Sequence, residues 1–373
     1  MKTCSSKKMF LCRHLFIYFT LFFALLVFFS CSSRLNHKVD LVEAVSESES
    51  EYISENISPL PEEIVQLSQV IIEYETETFP GGLLRVFAVA NERIDNLYVV
   101  LNRENGENIA KFMGFRYDPG PTNSPSHIEC MVAIIGTGST LRHGVYEALV
   151  YINNEASYRK KFSVSVTRRE FTRETIPLNQ RLTEIRTDDS ERRKRESYEL
   201  YRILSTFNEN NVFTGATVAK PIDVEPYYIT SKFGDIRTFV YVDGETANSI
   251  HHGIDYAAIT GSHIYACADG RVIFTGDRII TGYTVVIEHL PGLYSLYYHL
   301  DAIYVPEGKF VSEGEKIGTL GSTGLSTGPH LHWEIRNQRF TVDPDYLMAT
   351  PMIDKDRIIS IIKNNFTEIA EGG

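Results

Sequence analysis

Apolar and polar residues alternate along the first half of the chain in short runs that are bounded by turn-forming residues. A period of two is typical of β-strands, in which successive side chains point to opposite faces. Asn105-Gly106 and Asn153-Asn154 are among the turn signals between the runs. At this spacing the pattern predicts a small antiparallel β-sandwich of immunoglobulin-like type over residues 69–170. The main predicted strands cover residues 83–89, 97–101, 109–117, 130–135, 145–152 and 158–166.

Two later segments carry apolar residues at helical spacing instead. Residues 187–207 form a charged, amphipathic run with an acidic first turn, which predicts a helix within a connector over residues 171–212. The basic cluster 192–195 in this run indicates a solvated helix face, with binding to an anionic polymer or to lipid headgroups as the alternative. A second helix is predicted within residues 351–373 and is expected to pack on the body of the protein. The helically spaced residues are Tyr198, Tyr201 and Leu204 in the first helix, and Ile358, Ile361 or Ile362, Phe366 and Ile369 in the second.

Residues 1–30 have the pattern of a signal peptide, because four basic residues and no acidic one accompany an apolar run over residues 15–29. That run is shorter than the ~20 residues that a membrane-spanning helix needs. The run ends at Ser30-Cys31, and the last residues are similar to the lipobox of bacterial lipoproteins. The resemblance implies a membrane anchor through lipidated Cys31. An uncleaved anchor or ordinary cleavage nearby is the alternative, and in each case we expect export to the periplasmic face of a bacterial membrane.

The charge of the chain excludes one large class of partner. The chain has 37 Lys and Arg against 48 Asp and Glu, a formal net charge of −11. Without residues 1–30 it has 33 basic against 48 acidic residues, which is −15. We therefore predict no nucleic-acid partner. Residues 38–63 hold eight acidic residues and one Lys, so residues 31–68 are predicted to be a lipid-anchor cysteine followed by a solvated acidic linker.

Seven of the eleven histidines lie between His251 and His332, and this clustering indicates a metal site. A catalytic zinc ion takes three nitrogen or carboxylate ligands and keeps one position for water. His251 and Asp255 could share a metal ion only if the chain bends between them, and Gly253 is placed to allow a bend. In His330-Leu331-His332 the two imidazoles point to one face of a strand, about 7 Å apart, so one could bind a metal while the other faces its water.

The segment from about residue 213 to 346 resembles the lysostaphin-like, LytM-type zinc endopeptidases, which cleave peptidoglycan peptides. The match includes His-x-Gly-x-Asp at 251–255, Tyr-x-His-Leu at 297–300 and His-x-His at 330–332, with glycine turns between them. The resemblance implies an antiparallel β-sheet peptidase domain over residues 213–350 and a zinc-activated water as nucleophile. It further implies that one zinc ion is bound by His251, Asp255 and His332, with His299 and His330 as the catalytic pair that does not bind zinc.

Two functions of different classes are compatible with this resemblance. The first is a zinc endopeptidase that hydrolyses peptide cross-links of bacterial peptidoglycan. The alternative is a non-enzymatic peptidoglycan-binding adaptor or activator of a cell-wall amidase. All five site residues are present, which favours the enzyme. The N-terminal sandwich could bind cell-wall or division partners. We expect His252, His263 and His289 to be structural or surface residues, and Glu334 to support a ligand imidazole.

Overall fold

The protein is described by a computed structural model that covers residues 69–120, 128–154 and 159–366. The predicted signal peptide, the lipidation of Cys31 and the acidic linker lie outside the described residues, so they stay predictions. The described chain is mainly β, with four α-helices. The prediction of an N-terminal β-sandwich and a C-terminal antiparallel β-sheet is confirmed. Among the described residues, no helix combines the length and the apolar character that crossing a membrane would require.

The N-terminal strands pair along one continuous path, in the order β1-β3-β6-β5-β4-β7-β8-β2. They are β1 (Val70–Tyr74), β2 (Glu77–Thr78), β3 (Leu83–Ala90), β4 (Leu97–Arg103), β5 (Asn108–Arg116), β6 (Glu129–Gly136), β7 (Gly144–Ile152) and β8 (Lys160–Val166). The path changes layer within β5, which pairs with β4 along its first part and with β6 along its end. A Cβ at Gly114 would lie 2.8 Å from the Leu97 side chain, so only glycine fits at this change of layer.

The interior of the sandwich is formed by alternate residues of its strands. Val86 on β3, Val99 on β4 and Val150 on β7 are fully buried in one apolar cluster. The six strands predicted from alternation are all present, and the structure adds the short strands β1 and β2. These two were not predicted because runs of five and two residues carry too little periodicity to identify a strand.

The connector is more structured than a single helix. It contains a strand β9 (Arg173–Pro177) and two helices, α1 (Gln180–Thr187) and α2 (Glu191–Leu204). The prediction of one helix over residues 187–207 is therefore wrong at its start. Ser190 caps α2 by accepting from the Arg193 backbone N–H, and the Arg193 guanidinium donates to the carbonyl oxygens of Arg186 and Asp188. These bonds fix the break between the helices.

The outer face of α2 is charged and largely neutralised by its neighbours. Arg192 pairs with Glu196 and Asp277, and Lys194 pairs with Glu191. These local pairs agree with a solvated helix face for the basic cluster. Of the apolar residues predicted on one side of α2, Leu204 is buried, whereas Tyr198 and Tyr201 are exposed.

The C-terminal sheet is built from antiparallel pairs in the order β10-β13-β20-β17-β16-β15-β18. Three further strands extend it, because β14 pairs with β19, β19 pairs with β17, and β21 pairs with β20. A separate three-stranded sheet joins β9 to the hairpin β11–β12. The bounds are β10 (Tyr228–Ser231), β11 (Ile236–Val240), β12 (Thr246–Ile250), β13 (Gly253–Ala257), β14 (His263–Tyr265), β15 (Gly270–Arg278), β16 (Gly282–Leu290), β17 (Leu293–Ile303), β18 (Phe310–Val311), β19 (Lys316–Leu320), β20 (His330–Asn337) and β21 (Phe340–Val342).

Two C-terminal helices, α3 (Pro344–Ala349) and α4 (Lys355–Phe366), complete the fold. The apolar side of α4 is buried in a cluster that also contains Phe87 of the sandwich and Trp333 of the C-terminal sheet. The prediction that this helix packs on the body is therefore confirmed for its described part, while Ile369 lies beyond that part. The buried residues of α4 are Ile358, Ile361, Ile362 and Phe366. Because α4 contributes to a core shared with both β-regions, it supports the sheet that carries the site.

Candidate active site

Strand pairing brings the motif residues together at one place on the C-terminal sheet. The register of β13 against β20 places Asp255 opposite His332, and that of β17 against β20 places Tyr298 opposite His332. Gly253 permits the first of these pairings, because a Cβ there would lie 2.1 Å from the Trp333 carbonyl oxygen. The glycine of the His-x-Gly-x-Asp motif is thus needed for the close approach of two strands.

Three donor atoms converge at the centre of the site. His251 Nε2 lies 3.0 Å from Asp255 Oδ1 and 2.8 Å from His332 Nδ1, and the latter two atoms are 2.7 Å apart. All three side chains are buried. Three buried donors facing one another without an intervening group are a natural arrangement for a metal ion, and two imidazoles with one carboxylate are donors that zinc accepts. The structure therefore brings together the three residues predicted to bind metal.

In His251 and His332, the ring nitrogen that points away from the centre of the site donates a hydrogen bond to a fixed acceptor. His251 Nδ1 donates to the Lys232 carbonyl oxygen at 2.8 Å, and His332 Nε2 donates to Glu334 Oε1 at 2.9 Å. Each of these bonds leaves the lone pair of the other ring nitrogen free to face the centre of the site. Glu334 therefore supports a ligand imidazole, as the sequence suggested. Burial raises the pKa of Glu334, but the charge of Arg336 and the bond from His332 outweigh it and hold the pKa well below its ordinary value.

The second oxygen of Asp255 is held by a residue that no motif indicated. Arg237 on β11 donates from Nη2 to Asp255 Oδ2 at 2.5 Å and from Nε to Glu174 Oε1 at 2.6 Å. Burial raises the pKa of Asp255, but the charge of His332 and the bond from His251 outweigh it and hold the pKa well below its ordinary value. Arg237 was missed because it is one charged residue in an ordinary strand, and only the three-stranded sheet carries it to the site.

We expect Arg237→Gln to weaken zinc binding by about 10- to 100-fold, the range found for partners that orient metal ligands. The shorter, neutral side chain leaves Asp255 Oδ2 without its charged partner. A competition titration of the purified protein against a chelating zinc indicator would measure the effect. Arg173→Gln is the matched control, since Arg173 is an exposed arginine on the neighbouring strand β9. Equal zinc affinities for the two variants would contradict the prediction.

Two further imidazoles face the same cavity without belonging to the donor triad. His330 Nδ1 donates to the Gly328 carbonyl oxygen at 2.8 Å, and its Nε2 lies 3.9 Å from Asp255 Oδ1. His299 Nδ1 donates to the Thr323 carbonyl oxygen at 2.7 Å, and the two rings have centroids 4.8 Å apart. In both residues the proton is therefore on Nδ1, and Nε2 offers a lone pair.

The electrostatic surroundings keep this pair of imidazoles neutral. Burial lowers the pKa of His299 to about 3, with the charges of His330 and His332 acting in the same direction. Burial likewise lowers the pKa of His330, although the charge of Asp255 opposes the shift. A neutral imidazole with a free Nε2 lone pair can accept a proton, so the pair is suited to acid–base chemistry.

The backbone at His299 is in an unusual conformation. Its φ of +62° lies in the left-handed region, where a residue with a side chain is strained by the order of 1–3 kcal/mol. The pairing of β17 with β19 shifts register just after this residue, between Leu300 and Ala302. The irregularity interrupts the regular alternation of the strand at the residue whose ring faces the cavity.

The cavity around the five residues has a volume of about 210 Å³, and part of its wall comes from the connector. Leu182 of α1 and Phe239 of β11 are buried together, and Leu325 packs against them from the loop before β20. The connector therefore contributes to the site, which the sequence did not indicate.

The remaining histidines have the structural or surface positions that were expected. His289 is buried and bonds to Ser295 Oγ, and burial lowers its pKa to about 4. His252 Nδ1 accepts from Arg336 at 3.1 Å, and His263 is exposed. Cys130 and Cys267 are buried free thiols.

Comparison with known proteins identifies the class of this domain. Residues 249–344 match the model of peptidase family M23. The chain therefore carries a LytM-type M23 domain, and the three segments that form the site lie within the match.

Curated relatives match only part of this chain. DD-carboxypeptidase/endopeptidase Mpg of Neisseria meningitidis serogroup B is 48% identical over 95 residues, which are 26% of this chain and 22% of Mpg. Murein hydrolase activator NlpD of Salmonella dublin is 43% identical over 94 residues, 25% of this chain and 24% of NlpD. The chain thus spans less than a quarter of the length of these relatives. A crystal structure of an M23 peptidase from Pseudomonas aeruginosa covers 72% of this chain and 94% of its own, with 24% identity and a TM-score of 0.47.

Proposed function

We propose that this protein is a zinc-dependent endopeptidase that hydrolyses peptide cross-links of bacterial peptidoglycan. The observation that carries the proposal is a single cavity in which three buried metal donors face two neutral imidazoles. A zinc ion held by His251, Asp255 and His332 would supply a Lewis acid and lower the pKa of a bound water. Relatives named as peptidoglycan-cleaving enzymes support the same conclusion.

The two imidazoles that do not belong to the triad would handle protons. His330 Nε2 is placed to accept a proton from the attacking water, since its Nδ1 proton is held by the Gly328 carbonyl. His299 would orient the water or support the oxyanion, and its ring is fixed by the Thr323 carbonyl. The roles of these two residues could be exchanged without changing the chemistry. The five side chains thus account for every group that such a hydrolysis needs.

We further propose a D-alanyl cross-link as the substrate and a lipid anchor at Cys31. The substrate proposal is supported by the relatives that are named as DD-endopeptidases. The anchor is supported by the lipobox-like residues that precede Cys31. Together they describe an enzyme held at the periplasmic face of a bacterial membrane, next to the wall.

A second candidate function is the activation of a separate cell-wall amidase. It is favoured by one observation, the similarity of the domain to a murein hydrolase activator. The complete set of donors and imidazoles favours the enzyme instead, because an adaptor has no use for either.

The test uses residues 34–373 loaded with zinc and incubated with purified cross-linked peptidoglycan, and it identifies the released peptides by mass spectrometry. We expect new termini at D-alanyl cross-links, loss of release with a chelator, and recovery with added zinc. If the zinc-loaded protein releases no peptides but stimulates an added amidase, the endopeptidase proposal is wrong and the activator function takes its place. Release of glycine-bridge fragments alone would refute the proposed cross-link.

A further inference from the structure

A second cavity opens next to the catalytic one. It lies between α2 and the peptidase sheet and has a volume of about 410 Å³. The two cavities share lining residues, among them Thr281, Tyr298 and Glu334. The two cavities are therefore neighbours that share part of one wall.

Arg278, at the end of β15, brings a positive charge to the second cavity. It is 8% exposed, and its Nη2 donates to the Glu196 carbonyl oxygen at 2.8 Å. A weaker contact joins Nη1 to Thr281 Oγ1 at 3.5 Å. Within residues 69–120, 128–154 and 159–366, no carboxylate forms an ion pair with this guanidinium. Buried charges in proteins are ordinarily paired, so an unpaired one beside a cavity indicates an anionic ligand.

The carboxylates near Arg278 are occupied by other partners. Glu196 Oε1 pairs with Arg192, and its Oε2 accepts from the Ile279 backbone N–H at 2.8 Å. Glu334 is shared between His332 and Arg336. Neither is left to neutralise Arg278. Three more arginines, Arg193, Arg336 and Arg339, line the same cavity. Arg336 pairs with Glu334, whereas Arg193 and Arg339 form no ion pair within the described residues and add to the positive potential of the cavity.

Tyr298 provides a second, independent indication. The residue is 4% exposed, and its ring stacks on His332 with centroids 5.3 Å apart. Within the described residues no hydrogen bond joins its hydroxyl to another group, and Tyr298 lines the cavity, so the hydroxyl is available to a ligand there. Tyr298 lines the second cavity together with the charged residues Arg278, Glu334 and Arg336.

We propose that the second cavity is a substrate subsite that holds a free carboxylate of an acidic peptide, with Arg278 and Tyr298 as its donors. A guanidinium and a phenol can both donate to one carboxylate, and such charge-assisted bonds are the strong ones. The inference rests on the proposed peptidase function and adds the substrate class, a peptide that bears a carboxylate near the scissile bond. Both residues are specificity-determining positions, since neither belongs to the metal donors or the catalytic pair.

The test compares two synthetic peptides that share one scissile bond, one with a free carboxylate near that bond and the other with a carboxamide there. We expect the kcat/KM of the zinc-loaded chain to be about ten- to one-hundredfold higher for the acid peptide than for the carboxamide peptide. This factor corresponds to the free energy typical of a hydrogen bond to a charged group. Arg278→Gln should remove this preference by lowering the rate for the acid alone. Tyr298→Phe, which keeps the packing on His332, should reduce the preference by a smaller factor. Arg271→Gln is the matched control, because Arg271 is an exposed arginine on the same strand.

Two outcomes would overturn the subsite. The first is equal cleavage of acid and amide by the unmodified chain, and the second is an equal loss of both rates in Arg278→Gln, as a purely structural role of Arg278 would produce. If neither peptide is cleaved, the proposed endopeptidase function fails. Binding of the same two peptides, measured by calorimetry, then tests whether the second cavity binds a carboxylate. Tighter binding of the acid that Arg278→Gln abolishes would support it, whereas equal binding of acid and amide would refute it.

Discussion

Replacing His330 by Ala is expected to lower kcat for peptidoglycan cleavage by about 10²- to 10⁴-fold, the range attributed to a positioned general base. The imidazole is outside the donor triad, with Nε2 3.9 Å from Asp255 Oδ1, so the variant should still bind one zinc ion. Its side-chain hydrogen bonds join it to the loop before β20, through the Gly328 carbonyl and Ser326 Oγ, and not to the donor triad. We therefore expect the His330→Ala protein to be folded and to bind zinc, but to be inactive.

Zinc content by elemental analysis and turnover on peptidoglycan would be measured on the same preparation. His263→Ala is the control, because this histidine is exposed on β14 and should keep full activity. A His330→Ala protein that retains more than about one tenth of the turnover would argue against His330 as the base, since the smallest expected loss is about a hundredfold. Comparison with a His299→Ala variant shows which of the two imidazoles contributes more to kcat.

Replacing His332 by Ala is expected to abolish both zinc binding and activity. The substitution removes one of three donors, so the loss of zinc affinity should exceed the 10- to 100-fold that removal of an orienting partner causes. It also leaves two buried carboxylates short of a partner, because His332 bonds to Asp255 through one nitrogen and to Glu334 through the other. Removing one member of a buried charged network destabilises the fold as well as the site.

The measurements are zinc stoichiometry, peptide release and thermal unfolding, each with and without chelator. For the unmodified protein, chelator should lower the unfolding temperature, because a ligand that binds only the folded state stabilises it. For His332→Ala, chelator should change nothing. His252→Ala serves as the control, since His252 adjoins His251 in the chain but contacts Arg336 instead of the donor triad. One zinc ion still bound by His332→Ala with unchanged affinity would show that His332 is not a metal donor.

The candidate site was largely predictable because its residues are concentrated in three short motifs. Strand alternation alone places His330 and His332 on one face, and the resemblance assigns His251, Asp255 and His299. The structure brings all five around one cavity. The six main strands of the sandwich were predictable for a similar reason, since each alternates over enough residues to be distinguished from a helix.

The parts of the site that were missed depend on contacts between distant segments. Arg237 reaches Asp255 from the three-stranded sheet, and Arg278 lines the second cavity together with Tyr298. Neither arginine differs in the sequence from an ordinary charged residue. The break between α1 and α2 was missed because the hydrogen bonds of Arg193, which fix it, join carbonyls that no periodic pattern marks.

The sequence by itself determined the class of domain, the residues of the candidate metal site and the positions of most strands. These depend on local periodicity and on motif spacing, both of which are properties of short segments. The tertiary structure alone decided which side chains support the donors and which free charge faces the adjoining cavity. It also decided that the connector forms part of the wall. These features depend on which segments pack against one another, and burial then turns an ordinary arginine or tyrosine into a group that needs a partner.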